Sequence, residues 1–451
     1  MTETRSTATP AADTGGKITA LPDGPLERGV SVSLRRLMPL LVLMFVISFL
    51  DRVNIGFAEA GLSRDLGLSA GAFGLAAGVF FIGFAVFEVP SNLLLHRFGA
   101  RRWLARIMIS WGLLSASTAF AWNLSSLIVI RVVFGVAEAG FLPGVVHLLS
   151  SWFPERHRGR AMSFLFLGVV IGSVVGAPMS GALLELDGVG GLAGWQWLFL
   201  GEGVPAVLVG LWALRALPNR PSEARWLDAE ATAALDRQVS LEAAAARARE
   251  RFTLKKALLD RRVWRLGGCN FLLMAAIGGI AVWSADLIER VGDLRPLMVG
   301  VIAGITGACG AVGALLSGRL TARVADKRRL AAVGIVIMGV GIVCTALLPP
   351  IPAVAGLSLT MFGAMGALPA LWVLPTTLAT GRAAAACVAM VNTIGMFGGG
   401  VGPVVLGVAK DSTGSLRSGL FVLAAITLTA AVATATVPLA PRPRGAARDR
   451  P

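Results

Sequence analysis

Ser48-Phe49-Leu50-Asp51-Arg52-Val53-Asn54-Ile55-Gly56-Phe57-Ala58 closes an otherwise apolar run that begins at Leu37. The run is long enough to be a membrane-spanning helix, yet it holds an acid, a guanidinium and an amide within four residues. A charge near the bilayer centre costs about 2.5–3.5 kcal/mol on insertion scales, so ionisable groups there usually face a protein-lined cavity. Arg131 and Glu138 form a second such pair in another apolar run. Their seven-residue spacing is almost two helical turns, which turns both the same way. Two charged helices inside apolar runs point to a working site for transport.

The composition agrees. Of 451 residues, 55% are hydrophobic and 15% charged, against about a quarter charged in ordinary soluble domains, so most of this chain belongs in lipid. A formal net charge of +15 would suggest nucleic acid in a soluble protein. Here the basic residues stand mainly between apolar runs, where they set orientation, and no nucleic-acid partner is expected. Cys269, Cys309, Cys344 and Cys387 stand singly without CxxC spacing, and His96, His147 and His157 form no cluster. Neither a disulfide framework nor a metal site is expected. Without a nucleophile and base or a metal cluster, no enzyme is expected either.

Apolar runs of about 20 residues, the length that crosses a ~30 Å hydrocarbon core as a helix, recur twelve times. They lie near 36–58, 72–95, 103–122, 125–149, 160–184 and 195–217, then near 263–288, 297–319, 329–348, 352–376, 382–409 and 416–438. Loops after even-numbered spans are basic (residues 96–102, 156–160 and 327–329), whereas those after odd-numbered spans are neutral or acidic, as at Glu185 and Asp187. The positive-inside rule therefore places both termini in the cytoplasm. The expected organisation is a disordered cytoplasmic tail at 1–33, a six-helix bundle at 34–217, a cytoplasmic linker at 218–262 with a surface helix near Glu242, a second bundle at 263–438 and a cytoplasmic tail at 439–451. The fold is all-α and membrane-integral, with twelve transmembrane helices in two pseudo-symmetric bundles.

Overlaying the halves with an offset of 226 puts Arg97, Arg101 and Arg102 on Arg323, Lys327 and Arg328, and Gly140 and Pro143 on Gly366 and Pro369. Gly172 and Gly176 fall on Gly398 and Gly402, with Pro178 one step out from Pro403. Repeats of this kind mark transporters with a site between the halves near the midplane. Asp51, Arg52, Arg131 and Glu138 fall on Ile277, Gly278, Leu357 and Ala364. The second half builds the same architecture without those charges, which assigns them to function.

Several stretches resemble the major facilitator superfamily, in its anion:cation symporter branch. They are 49–58, Phe87-Glu-Val-Pro-Ser-Asn-Leu-Leu-Leu-His-Arg-Phe-Gly-Ala-Arg-Arg-Trp103, Gly135-Val-Ala-Glu-Ala-Gly-Phe-Leu-Pro-Gly144, Trp195-Gln-Trp-Leu-Phe-Leu-Gly-Glu-Gly-Val-Pro205 and Gly398-Gly-Gly-Val-Gly-Pro403. The chain departs from that pattern at Val282-Trp283-Ser284-Ala285, at Met396, and at Ala322, where the second loop motif would hold an acid. The resemblance implies a monomer in the cell membrane that takes up a small organic carboxylate (tartrate, a sugar acid or an aromatic acid) by alternating access. A proton gradient supplies the energy and no cofactor is needed.

Within that frame, Arg52 and Arg131 are the anion ligands, because a guanidinium fork matches a carboxylate. The competing reading is that each arginine merely pairs with Asp51 or Glu138 to stabilise helix packing. Asp51 and Glu138 are the proton carriers, since protonating either frees an arginine for substrate. Asn54 and Asn392 are candidate hydrogen-bond donors to substrate, or interhelical glue. Trp372, and with it Trp283, offers a stacking face or plain packing. Glu88, Arg97, Arg101 and Arg102 belong to the gate. The glycine rows at 168–176 and 395–399 are packing devices. An exporter or antiporter of the same fold, and a non-transporting membrane sensor, are the alternatives.

Overall fold

The computed structural model describes residues 24–248, 260–378 and 382–438. The tails at 1–23 and 439–451 and the last part of the expected linker, 249–259, lie outside the described residues. Regular structure among the described residues is helical. The N-terminal half holds α1 (Pro25–Phe57), α2 (Glu59–Leu66), α3 (Ala70–Phe98), α4 (Ala100–Thr118), α5 (Leu124–Glu138), α6 (Phe141–Trp152), α7 (Glu155–Ile171), α8 (Ala177–Leu184) and α9 (Gly194–Ala216). After α10 (Ala229–Ala248) the C-terminal half follows as α11 (Arg261–Glu289), α12 (Pro296–Arg323), α13 (Lys327–Leu347), α14 (Pro350–Leu378), α15 (Arg382–Thr413) and α16 (Leu416–Ala435).

Two boundaries differ from expectation. The first helix starts at Pro25, inside the stretch assigned to a tail. Proline in the first helical turn gives up an N–H that had no partner anyway, and Val30 and Leu34 on the next two turns are buried. The central segment is also more than a tether. Ala231 and Leu235 of α10 are fully buried, Leu235 against Gly29 at the start of α1. Glu242 accepts from the Glu155 backbone N at 2.8 Å and from Arg158 at 3.1 Å. Trp226 stacks on Trp152 at 5.5 Å.

Eleven spans among the described residues are long and apolar enough to cross a membrane, α5 with α6 and α7 with α8 each counting as one. The chain is a multi-pass membrane protein. The twelfth expected span, α4, falls short by composition: Arg101, Arg102 and Arg106 occupy its first two turns. It nonetheless lies along the full length of α9. Asn219, just past one end of α9, accepts from the Arg101 backbone N at 2.9 Å. Gln196, at the other end, donates to the Ala119 carbonyl at 2.7 Å. Gly112 and Gly203 let the two backbones touch between those points.

The repeat survives as architecture. Shifted by 226, α3 lands on α12, and the span α5–α6, Leu124–Trp152, lands end for end on α14, Pro350–Leu378. The halves diverge at two places. Gly140 sits at φ +86° and breaks the fourth span, whereas α14 runs unbroken through Gly366. Residues Gly172–Gly176 form a π-helical stretch, whereas α15 is α-helical through Gly398 and Gly402. Pro178, one step out of register with Pro403, stands just past this π-helical stretch.

The halves meet along α3–α15, α8–α12 and α1–α11. At each crossing glycine removes the side chain that would hold the backbones apart: Gly78 against the Gly400 carbonyl, Gly181 against that of Pro296, Gly56 against that of Val282. All three crossings lie in the parts of their helices remote from the basic loops, hereafter the far face.

Candidate functional site

The interior of the N-terminal half is polar where α1, α4, α5, α8 and α9 converge. Asp51 and Asn54, three residues apart on α1, share a face, and both are fully buried. Asp51 accepts from Trp111 Nε1 at 2.7 Å and Ser115 Oγ at 2.6 Å, one turn apart on α4, and from Asn54 Nδ2 at 3.2 Å. The same Asn54 amide donates to Glu202 Oε2 on α9 at 2.9 Å. Ser180 Oγ on α8 lies 2.7 Å from Glu202 Oε1. One chain of polar atoms therefore ties three helices to α1.

Arg52, one position around the helix, points the other way. Its Nε donates to Glu138 Oε1 at 2.7 Å, and Ser48 Oγ donates to the same oxygen at 3.2 Å. The Glu138 side chain is 1% exposed and the Arg52 side chain 36%. Phe84 lies under the guanidinium at 5.4 Å. Helix α5 starts where Asn123 Oδ1 accepts from the Ser126 backbone N at 2.8 Å, which places Glu138 on its last residue. The break follows at once: Gly140 takes a left-handed conformation that a Cβ would strain, and Ser91 Oγ donates to the freed Ala139 carbonyl at 2.6 Å.

Arg131 is 2% exposed and held between Phe80 and Phe134 at 5.1 and 5.3 Å. Among the described residues it makes no ion pair with Glu138. Of the helix-pairing reading, Arg52 does pair with Glu138, whereas Asp51 is left to neutral donors and Arg131 to no ion pair among the described residues. Two aromatic faces lie against the Arg131 guanidinium, an attractive arrangement for a cation.

Asn392 joins a different partner. Its amide donates to both oxygens of Glu88, at 2.9 and 3.1 Å, and so links the C-terminal half to the N-terminal one. Trp372 is half-buried in the C-terminal core. Trp283 is fully buried there and donates to the Pro403 carbonyl at 3.1 Å, a packing role. Arg97, in the last turn of α3, and Arg102, in the first turn of α4, are exposed, and Arg101 beside it is half-buried. None of the three forms an ion pair among the described residues. The structure thus brings together Asp51 with Asn54, Arg52 with Glu138, and Glu88 with Asn392, and leaves Trp372 and these three arginines apart from them.

Sequence reasoning missed Glu202, Trp111, Ser115 and Ser180. The rule that singled out Asp51, a carboxylate inside an apolar run, applies equally to Glu202. It also missed the polar closure of the far face. Lys410 Nζ binds Asp286 Oδ1 at 2.6 Å and Glu59 Oε1 at 3.4 Å. Asp411 accepts from Ser69 Oγ at 2.8 Å and from the Ala70 and Gly71 backbone N at 2.8 and 2.7 Å. Burial pushes the Glu59 carboxyl above its ordinary range, with Lys410 opposing.

The family model described as Major Facilitator Superfamily matches residues 41–403. A protein of Agrobacterium vitis provisionally named a tartrate transporter is 39% identical over 407 residues, spanning 88% of this chain and 92% of that protein. The quinolone resistance transporter of Acinetobacter baumannii is 36% identical over 397 residues, 87% of this chain and 91% of its own. Among solved structures, a bacterial homolog of the human lysosomal transporter Spinster, inward-facing and occupied, has a TM-score of 0.73 at 18% identity, covering 88% of this chain and 95% of that one. At that identity the likeness concerns the fold.

Proposed function

This chain belongs to the major facilitator superfamily, and from that premise we propose that it takes up a small organic carboxylate together with protons. The coarser statement stands on the family: the protein is a secondary transporter of a small molecule and not an enzyme. One observation carries the finer reading, the pairing of a half-exposed guanidinium, Arg52, with a buried carboxylate, Glu138. A proton on Glu138 neutralises the acid and frees the fork of Arg52 for the carboxylate of a substrate. Arg131, which has no carboxylate partner among the described residues, supplies the second cation. Asp51 is the other proton carrier, and Asn54 orients it. Loading anion and proton together removes net charge from the interior, which lowers the cost of closing around it.

In this reading α4 is the twelfth crossing, its arginines lying at the basic, cytoplasmic face, and both termini are cytoplasmic. Two six-helix bundles rock about the midplane. Glu88 and Asn392 form a contact between the halves that substrate binding in the interior rearranges, so Asn392 acts through Glu88. Arg97, Arg101 and Arg102 engage on closure of the cytoplasmic face. Trp372 lines the C-terminal wall. The protein works as a monomer.

The test is uptake into proteoliposomes with an inside-alkaline gradient, across tartrate, sugar acids, phthalate, hydroxyphenylacetate and aliphatic monocarboxylates. Accumulation of one acid, abolished by a protonophore and by Arg52→Ala, is the expected result. Folded protein that accumulates none of them sinks the reading. The Acinetobacter baumannii relative, named for quinolone resistance, favours a second reading, export by proton antiport. It is recognised by the opposite response, efflux of a preloaded compound when the receiving side is acidic.

A further inference from the structure

We infer that Glu202 holds a standing proton, so that α9 presents a neutral carboxylic acid, hydrogen-bonded to Ser180 and Asn54, inside the N-terminal half. The inference rests on the interior of that half and is independent of what the protein carries.

Ser180 Oγ lies 2.7 Å from Glu202 Oε1 and 3.1 Å from the Gly176 carbonyl. A hydroxyl has one proton and can donate to only one of the two. If Glu202 is protonated on Oε1, it donates to Ser180 Oγ and the serine donates onward to Gly176. The other oxygen, Oε2, accepts from Asn54 Nδ2 at 2.9 Å, and every one of these atoms has its partner. Asp51 is built differently. Three donors converge on it, from Trp111, Ser115 and Asn54, the arrangement that suits an ionised carboxylate.

Charge accounting points the same way. Glu202 is 2% exposed, and burying a carboxylate without a cation is so costly that such a group neutralises instead. The helices packed on α9 are α4, α1, α8 and α2. On α1 the groups are Asp51, a like charge bridged through one Asn54 amide, and Arg52, which is turned to Glu138. Helix α8 has no ionisable residue, and α4 has none beyond Arg106. On α2, Glu59 faces Lys410, Arg64 pairs with Asp65, and Asp65 accepts from Trp195 Nε1 toward the far face. On α5, Glu138 is bound to Arg52, and Arg131 lies between its two phenyl rings. No cation reaches Glu202 among the described residues. Two buried carboxylates sharing one amide cannot both ionise cheaply, and the one that accepts from three donors, Asp51, takes the charge.

The proton is read directly by infrared spectroscopy of the full-length protein in nanodiscs at neutral pH in heavy water. Wild type shows a carbonyl-stretch band of a protonated carboxylic acid that is missing from Glu202→Gln and retained in Asp51→Asn and Glu138→Gln. Ser180→Ala removes the acceptor of that proton and moves the band to higher frequency. Superimposable wild-type and Glu202→Gln spectra in that region overturn the inference, as does loss of the band in Asp51→Asn or Glu138→Gln instead. Should the glutamine variant not be recovered folded, Glu202→Asp answers the same question: a shifted band supports the assignment and an unmoved one overturns it.

Discussion

At the scale of single residues, adjacent positions 51 and 52 do opposite work because 100° of helix rotation separates them. Asp51 faces α4, while Arg52 faces Glu138 of α5 and Phe84 of α3. Arg52→Lys keeps the charge but loses the planar fork. It is expected to weaken binding of the carboxylate at least ~10-fold, the equivalent of about 1.4 kcal/mol, with the fold intact; an unchanged dissociation constant in equilibrium binding contradicts that role. Asp51→Asn turns one acceptor into a donor opposite the Trp111 N–H or the Ser115 hydroxyl, at a cost of about 1–3 kcal/mol. A lower melting temperature is therefore expected together with loss of gradient-driven accumulation, while exchange without a gradient persists. That Asp51, Arg52, Arg131 and Glu138 stand inside apolar runs was visible in the sequence, since a charge there is conspicuous one residue at a time. Their partners were not. Glu138 was expected beside Arg131 from spacing along one helix, yet its bond is to Arg52, 86 positions away in the chain.

At the scale of elements, the two halves share a plan but not a backbone. The fourth span breaks after Glu138 and the fifth carries a π stretch ahead of Ser180, whereas their counterparts in the second half run straight. Irregular backbone inside a membrane persists only where protein groups satisfy it, and Ser91 does so at Ala139. Gly140→Ala places a Cβ on a left-handed residue and against Ser91. It is expected to cost roughly 1–3 kcal/mol and to lower the melting temperature. The matching change Gly366→Ala, helical and with its nearest neighbour at 3.4 Å, is expected to be tolerated. Equal melting temperatures for the two variants would remove any special status for the break. Glycines at these positions were legible in the sequence as a matched pair. Their different conformations were not, because φ depends on whether a neighbour such as Ser91 takes up the freed carbonyl.

At the scale of the whole molecule, the far face is closed by apolar helix crossings and by two polar contacts between the halves, Glu59 with Lys410 and Asp411 with the first turn of α3. Burial holds the Glu59 proton more tightly in the closed state than water would. Closure is therefore favoured below the raised value and weakens as pH rises through it. Spin-label distances between α2 and α16 should lengthen with rising pH in wild type and lose that dependence in Glu59→Gln; a wild-type distance insensitive to pH contradicts the gate. Lys410→Ala should lengthen the distance most at high pH, where Glu59 is ionised and loses the cation that bridges it to Asp286. By itself the sequence determined the all-helical membrane class, the two-fold repeat and the charged positions of the first half. Hydrophobic run length, repeat spacing and the cost of a buried charge are all local properties that composition carries. Only the tertiary structure decided which acid holds which arginine, that Asn392 meets Glu88, and that Glu202 joins Asp51 through Asn54. Those pairings span 86 to 304 positions and exist only once the helices have packed.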